Sequence, residues 1–192
     1  MIRIGILGDI GSGKSYAAKL FGYPVFNADF HVAKIYKKNK KCYKKLKKYL
    51  PNYLSSFPVK KSEISKAIID SDNNLKKIIK IIHPEVRRCM NNFIKKNKNK
   101  KIVVLDIPLL LENNLNKKED ILVFVEAENK QIKKRLKKRP NYNELVLKKL
   151  KKFQLSVEFK KKKSDFVIKN NFKINSFENN VKKVLKKILI YA

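Results

Sequence analysis

The sequence predicts an α/β fold in which five parallel strands form one sheet flanked by helices. Three observations predict it. Five short apolar runs, at 2–7, 24–29, 101–108, 120–127 and 165–170, have the length and near-continuous hydrophobicity of buried parallel strands. Helical patterns separate them, so strands and helices alternate along the chain. The first run ends in a glycine-rich turn, Gly8 to Ser15, that leads straight into a helical pattern.

Taken in order, the run 2–7 (IRIGIL) is the first strand and closes on Gly8. A helix should start near Lys14 and run through Phe21, with Gly22 as its cap and Pro24 blocking continuation. PVFNAD is a short second strand ending at Asp29. From residue 30 to 99 the texture changes to short amphipathic helices, predicted at 31–38, 40–50, 62–70, 72–82 and 84–96 and punctuated by Pro51, Pro58 and Pro84. This segment reads as a helical insertion between strands of the core. KIVVLDIP is the third strand, ending in Asp106 and Pro108, and DILVFVEA is the fourth. Helices are predicted at 128–138, 142–152 and 154–163, then the last strand DFVIKN. The lysine run 160–163 reads as a solvated helix face. A closing helix at 176–190 carries Phe177, Val181, Val184, Leu185 and Ile188 on one side.

Composition narrows the function classes. A chain of 192 residues with 43% hydrophobic residues can bury one α/β core with a small insertion. There is no apolar stretch of about 18 residues, so no transmembrane helix is expected. The first residues enter a strand without a signal-peptide pattern. Cys42 and Cys89 form no CxxC and have no His at ligand spacing, which argues against a disulfide framework or zinc site. A soluble, reducing, cytoplasmic setting is the expectation. The formal net charge of +32 points toward anionic partners. Its lysines are spread over the whole chain beside frequent Asn and Ile. That pattern fits compositional drift plus a need for anionic ligands better than a dedicated nucleic-acid face. Arginine is scarce, at positions 3, 87, 88, 135 and 139 only. Where it persists, a planar fork for phosphate or carboxylate is one reason and chance retention another.

The strongest motif is Gly8-Asp9-Ile10-Gly11-Ser12-Gly13-Lys14-Ser15, which matches G-x-x-x-x-G-K-[ST] between a strand and a helix. Its glycines allow the tight bend that turns successive backbone N–H groups toward phosphate. The helix N-terminus adds positive potential. Lys14 can reach the terminal phosphates of a nucleoside triphosphate, and Ser15 can ligate Mg²⁺. The motif therefore predicts a P-loop kinase. Asp29, at the ligand-facing end of its strand, could take a proton from an acceptor hydroxyl, hold Mg²⁺ through water, or cap the next helix. Asp106 ends an apolar strand as a Walker B acid does, a weak signal by itself. Arg135 and Arg139, four apart on one predicted helix face, could close over phosphates or make surface salt bridges. Pro84 fits a helix start, with His83 capping or packing there.

Taken together, these segments resemble the dephospho-CoA kinase family over nearly the whole chain. GDIGSGKS and VFNAD are similar to its P-loop and its D-A-D segment, and HPEVR at 83–87 to its H-P-x-V-R element. LDIPLLLE at 105–112 resembles D-x-P-L-L-F-E, which is more specific than the P-loop. Gln131, Arg135 and Arg139, then Gln154, Lys160 and Asp165, follow in family order, and DFVIKN resembles A-D-x-V-I-x-N. The resemblance implies a P-loop kinase fold in a single domain over 1–192. Its core would be 1–29, 100–128 and 164–192, with a helical acceptor subdomain at 30–99 and a lid at 129–163. It implies ATP-dependent phosphorylation of dephospho-CoA, another small-molecule kinase being the rival. Catalysis would rest on Asp29, Lys14 and Arg139. Gly11, Ser12, Gly13, Lys14, Ser15, Tyr16, Arg135 and Asn170 would bind ATP. His83, Arg87, Asp106 and Pro108 would bind the acceptor. Mg²⁺ would sit on Ser15, with Asp29 or Asp106 reaching it through water. The expected partners are ATP and dephospho-CoA, with no specific nucleic acid and no membrane, in a monomer or weak homo-oligomer. Asn27 replaces the first acid of D-A-D, Tyr16 the usual Thr, and Ser164 the usual Ala. Asp9 places an acid in the phosphate loop.

Overall fold

Runs of β-branched residues at the predicted positions form strands, and the segments between them form helices. The computed structural model describes residues 1–140 and 142–191. Element order is β1 (Ile2–Gly8), α1 (Lys14–Leu20), β2 (Val25–Asn27), α2 (Ala28–Lys38), α3 (Lys40–Tyr49), α4 (Lys61–Asp70), α5 (Asp72–Lys96), β3 (Ile102–Asp106), β4 (Ile121–Ala127), α6 (Asn129–Lys137), α7 (Glu144–Lys152), α8 (Val157–Lys162), β5 (Phe166–Asn170) and α9 (Ile174–Tyr191). The chain divides into two compact units. One comprises residues 1–27, 96–142 and 153–192; the other comprises 28–95 and 143–152.

The first unit holds the sheet, with strand order β2-β3-β1-β4-β5 and every neighbouring pair parallel. The register pairs Ile4 with Val104 and Ile121, Asn27 with Asp106, and Ala127 with Asn170. All carboxyl ends therefore meet at one edge, where parallel α/β sheets bind ligands. Alternate strand residues Ile4, Ile6, Ile102, Val104, Val123, Val125 and Ile168 share one core with Ala17, Ala18 and Phe21 of α1. Phe177, Val181, Val184 and Ile188 of α9 complete it. The period of two along strands and of three to four along α9 thus meet in one apolar layer. Arg3 lies on β1, buried, and pairs with Asp120 at 2.9 Å while donating to the Leu115 carbonyl. Burial raises the Asp120 carboxyl despite this pairing. The Arg3 fork thus has a structural use.

The second unit is helical. The Asn39 side chain accepts from Cys42 N and opens α3, and Glu63 accepts from Lys60 N at the start of α4. The separate helices expected at 72–82 and 84–96 are one helix, α5, with Pro84 inside it. Proline removes the N–H that would bond the Lys80 carbonyl, a cost of about 3 kcal/mol or more. The buried stripe Leu75, Ile78, Ile82, Val86 and Met90 runs unbroken past it. At about 1.5–3 kcal/mol per buried aliphatic side chain, that stripe outweighs the loss. His83 and Pro84 therefore do not begin a helix. In α7, Lys149 pairs at 2.9 Å with Asp72 in the first turn of α5. The Lys149 hydrogen bond holds the Asp72 carboxyl below its ordinary range.

Candidate active site

The turn between β1 and α1 forms as its glycines require. Gly13 precedes α1 at φ 102°, and a Cβ there would meet Asn170 Nδ2 at 2.4 Å, so only glycine fits. Gly11, at φ 91°, lies against Ile132 and Leu136 of α6, which ties the loop to the helix bearing Arg135. The Lys14 ammonium lies within the loop, donating to the carbonyls of Gly8 at 3.1 Å and Asp9 at 2.7 Å. The Asp9 carboxylate accepts the loop's own Ile10 N–H at 2.6 Å, which satisfies this unexpected acid locally. Ser12 Oγ is buried with no hydrogen-bond partner, an orphaned polar atom inside the loop. Ser15 stands exposed in the first turn of α1.

Around the loop, the same unit gathers further polar groups. Asn170, at the end of β5, donates from Nδ2 to the Ser12 carbonyl at 2.7 Å and accepts from Phe172 N at 2.8 Å. Asp106 is buried at the end of β3, and Asn27 Nδ2 donates to its Oδ2 at 2.5 Å. The amide at position 27 thus addresses the acid that ends the neighbouring strand. Arg135 Nη1 lies 3.7 Å from the position of an added Cβ on Gly13. Its guanidinium stacks over Phe172, 5.3 Å from the ring centre. A cavity of about 480 Å³ opens here, lined among others by Tyr16, Lys134, Arg135, Asn170, Phe172 and Phe177. Aromatic rings and cations together suit a nucleoside carrying phosphate.

Three expectations are corrected. Asp29 neither ends β2 nor precedes a helix; β2 stops at Asn27, and Asp29 lies in the first turn of α2. There the helix dipole favours its charge. Arg139 is not on a helix face with Arg135, because α6 ends at Lys137 and Arg139 lies in the bend beyond. Pro140 follows, and a proline disfavours helical backbone at the residue before it. Lys160 is no solvated lysine. It is 2% exposed, 2.8 Å from Glu112 Oε1 and 3.1 Å from Gln154 Oε1.

A family model for dephospho-CoA kinase matches residues 2–176. The chain belongs to the dephospho-CoA kinase family. A dephospho-CoA kinase from Wolbachia sp. subsp. Brugia malayi is 35% identical over 170 residues, 86% of this chain and 87% of the relative. One from Bartonella quintana is 32% identical over 191 residues, 97% of each. Among solved structures, a Thermus thermophilus protein matches with TM-score 0.75 and 28% identity, covering 99% of this chain and 97% of that one. A shikimate kinase from Acinetobacter baumannii matches with TM-score 0.52 at 14% identity, covering 100% and 94%, and shares the P-loop kinase fold.

Within this dephospho-CoA kinase family member, Gly11, Ser12, Gly13, Lys14, Ser15, Tyr16, Asp106, Pro108, Arg135, Arg139 and Asn170 all lie in the first unit. Asp29, His83 and Arg87 lie in the second. His83 and Arg87 are four apart on α5 and share a helix face, Arg87 exposed and His83 half-buried. Sequence reasoning missed Phe172 as part of the cavity. The Asn170-Asn171 pair before it was the available signal, since consecutive Asn residues mark a turn, and Phe172 has φ 60°. A P-loop kinase uses a divalent cation with ATP. Among the described residues no group of three His, Cys, Asp or Glu gathers to hold one. Such a cation takes a sparse set of protein oxygens in kinases, with phosphate and water completing it, and the exposed hydroxyl of Ser15 is chemically suited to that set.

Proposed function

We propose that the protein transfers the γ-phosphoryl group of ATP to the ribose 3′-hydroxyl of 3′-dephospho-CoA, giving coenzyme A and ADP. This is the last step of CoA biosynthesis. The observation that carries it is the family match over residues 2–176, which spans the phosphate loop and the LDIPLLLE segment together. The hydroxyl oxygen bonds to the γ-phosphorus as the bond to the β–γ bridging oxygen breaks. The proton passes to the Asp29 carboxylate, and the leaving charge stays on ADP. Loop amides from Gly11 to Ser15 and the Lys14 ammonium hold the β- and γ-phosphates, so positioning and charge compensation do most of the work. Ser15, with Asp106 or Asp29 acting through water, would hold Mg²⁺, which would supply charge neutralisation at the phosphate oxygens. Arg135 and Arg139, in the lid region 129–163, compensate negative charge on the transferring group. His83, Arg87 and Pro108 receive the acceptor. A cytoplasmic location fits these substrates.

The test is phosphoryl transfer from labelled ATP to dephospho-CoA, adenosine and nucleoside monophosphates in parallel. Dephospho-CoA should be the acceptor by a wide margin; preferential labelling of a nucleotide would move the assignment to another small-molecule kinase. Asp29→Asn should lower kcat by about 10²–10⁴-fold, the range for a positioned acid–base group. ATP affinity should hardly change, because phosphate binding rests on Lys14, Ser15 and the loop amides. Loss of the charge from the first turn of α2 should cost about 0.3–1 kcal/mol of stability. A variant that loses stability but keeps its turnover would make Asp29 a helix-dipole residue and turn the search for the base to Asp106.

A further inference from the structure

Tyr16 follows Ser15 on α1, and its side chain contacts Phe177 and Glu178 of α9. The ring is 38% exposed and lines the cavity beside the phosphate loop. It stacks on Phe177 of α9, with centroids 6.0 Å apart and planes inclined by 28°. Its hydroxyl donates to Glu178 Oε1 at 2.9 Å. That hydrogen bond to a carboxylate raises the phenol's pKa, so the hydroxyl stays protonated and the anchor holds across neutral pH. Two neighbouring residues of α9 thus fix the ring before any ligand arrives. The cavity also carries Phe172, capped by the Arg135 guanidinium. Lys14 and the loop amides are the groups suited to phosphate. The aromatic rings have no such use, and what they match is the flat, apolar face of a nucleobase.

We propose that Tyr16 forms part of the wall that contacts the nucleobase of the bound nucleotide, and that this contact sets nucleotide retention. The proposal rests on the ATP reading above and adds to it a residue that recognises the base rather than the phosphates. Because Phe177 and Glu178 hold the ring in place, little side-chain freedom remains to be lost on binding. Tyr16 is a binding residue here, remote from the transferring phosphoryl group.

The experiment is calorimetric titration of the full chain with ADP and, separately, with inorganic tripolyphosphate, which carries phosphates and no base. Wild type, Tyr16→Phe and Tyr16→Ala are compared, with circular dichroism to verify that each is folded. Tyr16→Ala should weaken ADP binding about tenfold, the scale of one lost base–aromatic stack, while tripolyphosphate stays within about twofold. Tyr16→Phe keeps the ring and should bind ADP within about threefold of wild type. The proposal is overturned if Tyr16→Ala binds ADP as wild type does, or if ADP and tripolyphosphate weaken together. It is equally overturned if Tyr16→Phe is as weak as Tyr16→Ala. A wild-type protein that binds no ADP would sink the ATP reading itself, and the Tyr16 assignment with it.

Discussion

The side-chain amide of Asn170 serves two stretches of backbone at once. Nδ2 donates to the Ser12 carbonyl and Oδ1 accepts from Phe172 N, and the residue is 5% exposed. One residue therefore braces the phosphate loop and shapes the turn that brings Phe172 to the cavity. In Asn170→Ala both backbone groups lose that partner, and each buried group left unsatisfied costs about 1–3 kcal/mol. Denaturant unfolding should show a loss of that order, with weaker ADP binding because the loop is no longer held. Unchanged stability would mean that water replaces the amide in full. The site was only partly legible at this scale. The glycines, Lys14 and Ser15 could be read because their roles follow from local spacing. The brace could not, since Asn170 and Ser12 are 158 residues apart. The Asn27 to Asp106 contact was hidden in the same way; it depends on β2 pairing with β3 in register.

At the scale of elements, the five strands and most helix spans follow from hydrophobic period. The misreadings cluster where a local rule met tertiary packing. Pro84 reads as punctuation, but the buried stripe of α5 carries the helix through it. Lys160 reads as one lysine in a solvated run, and the run hides a buried ion pair. Lys160 and Glu112 join α8 to the segment after β3, and Glu112 Oε1 also accepts from Leu155 N at 3.0 Å. Removing one member leaves the other charge buried without compensation. Lys160→Met should therefore destabilise the protein by about 3–5 kcal/mol. The double variant Lys160→Met with Glu112→Leu should recover much of that loss, since no bare charge remains. Chemical denaturation of the two singles and the double completes a cycle. Additive losses would show that the pair does not act as a unit.

For the molecule as a whole, the dominant property is the formal net charge of +32. Among the described residues no helix is long and apolar enough to cross a membrane, so the charge does not flank a helical span. A surface this cationic attracts any polyanion. Attraction and recognition differ, however: phosphate contacts position a nucleic acid, and base contacts specify it. Lysines occur in the helical unit and in the sheet unit alike, with adjacent pairs in α3, α6 and α7. Lysine is a hydrated point charge without the planar fork that reads a guanine edge. Binding to duplex DNA or single-stranded RNA should therefore be non-specific, with dissociation constants of about 10⁻⁴–10⁻⁶ M at physiological salt. The logarithm of affinity should fall linearly with the logarithm of salt concentration, as counterion release requires. Fluorescence anisotropy with two unrelated sequences across a salt series measures both properties. The two sequences should give superimposable curves, and excess ATP should compete only through its charge. A nanomolar complex that discriminates between the sequences at physiological salt would show that the lysines form a dedicated nucleic-acid surface and overturn the compositional reading.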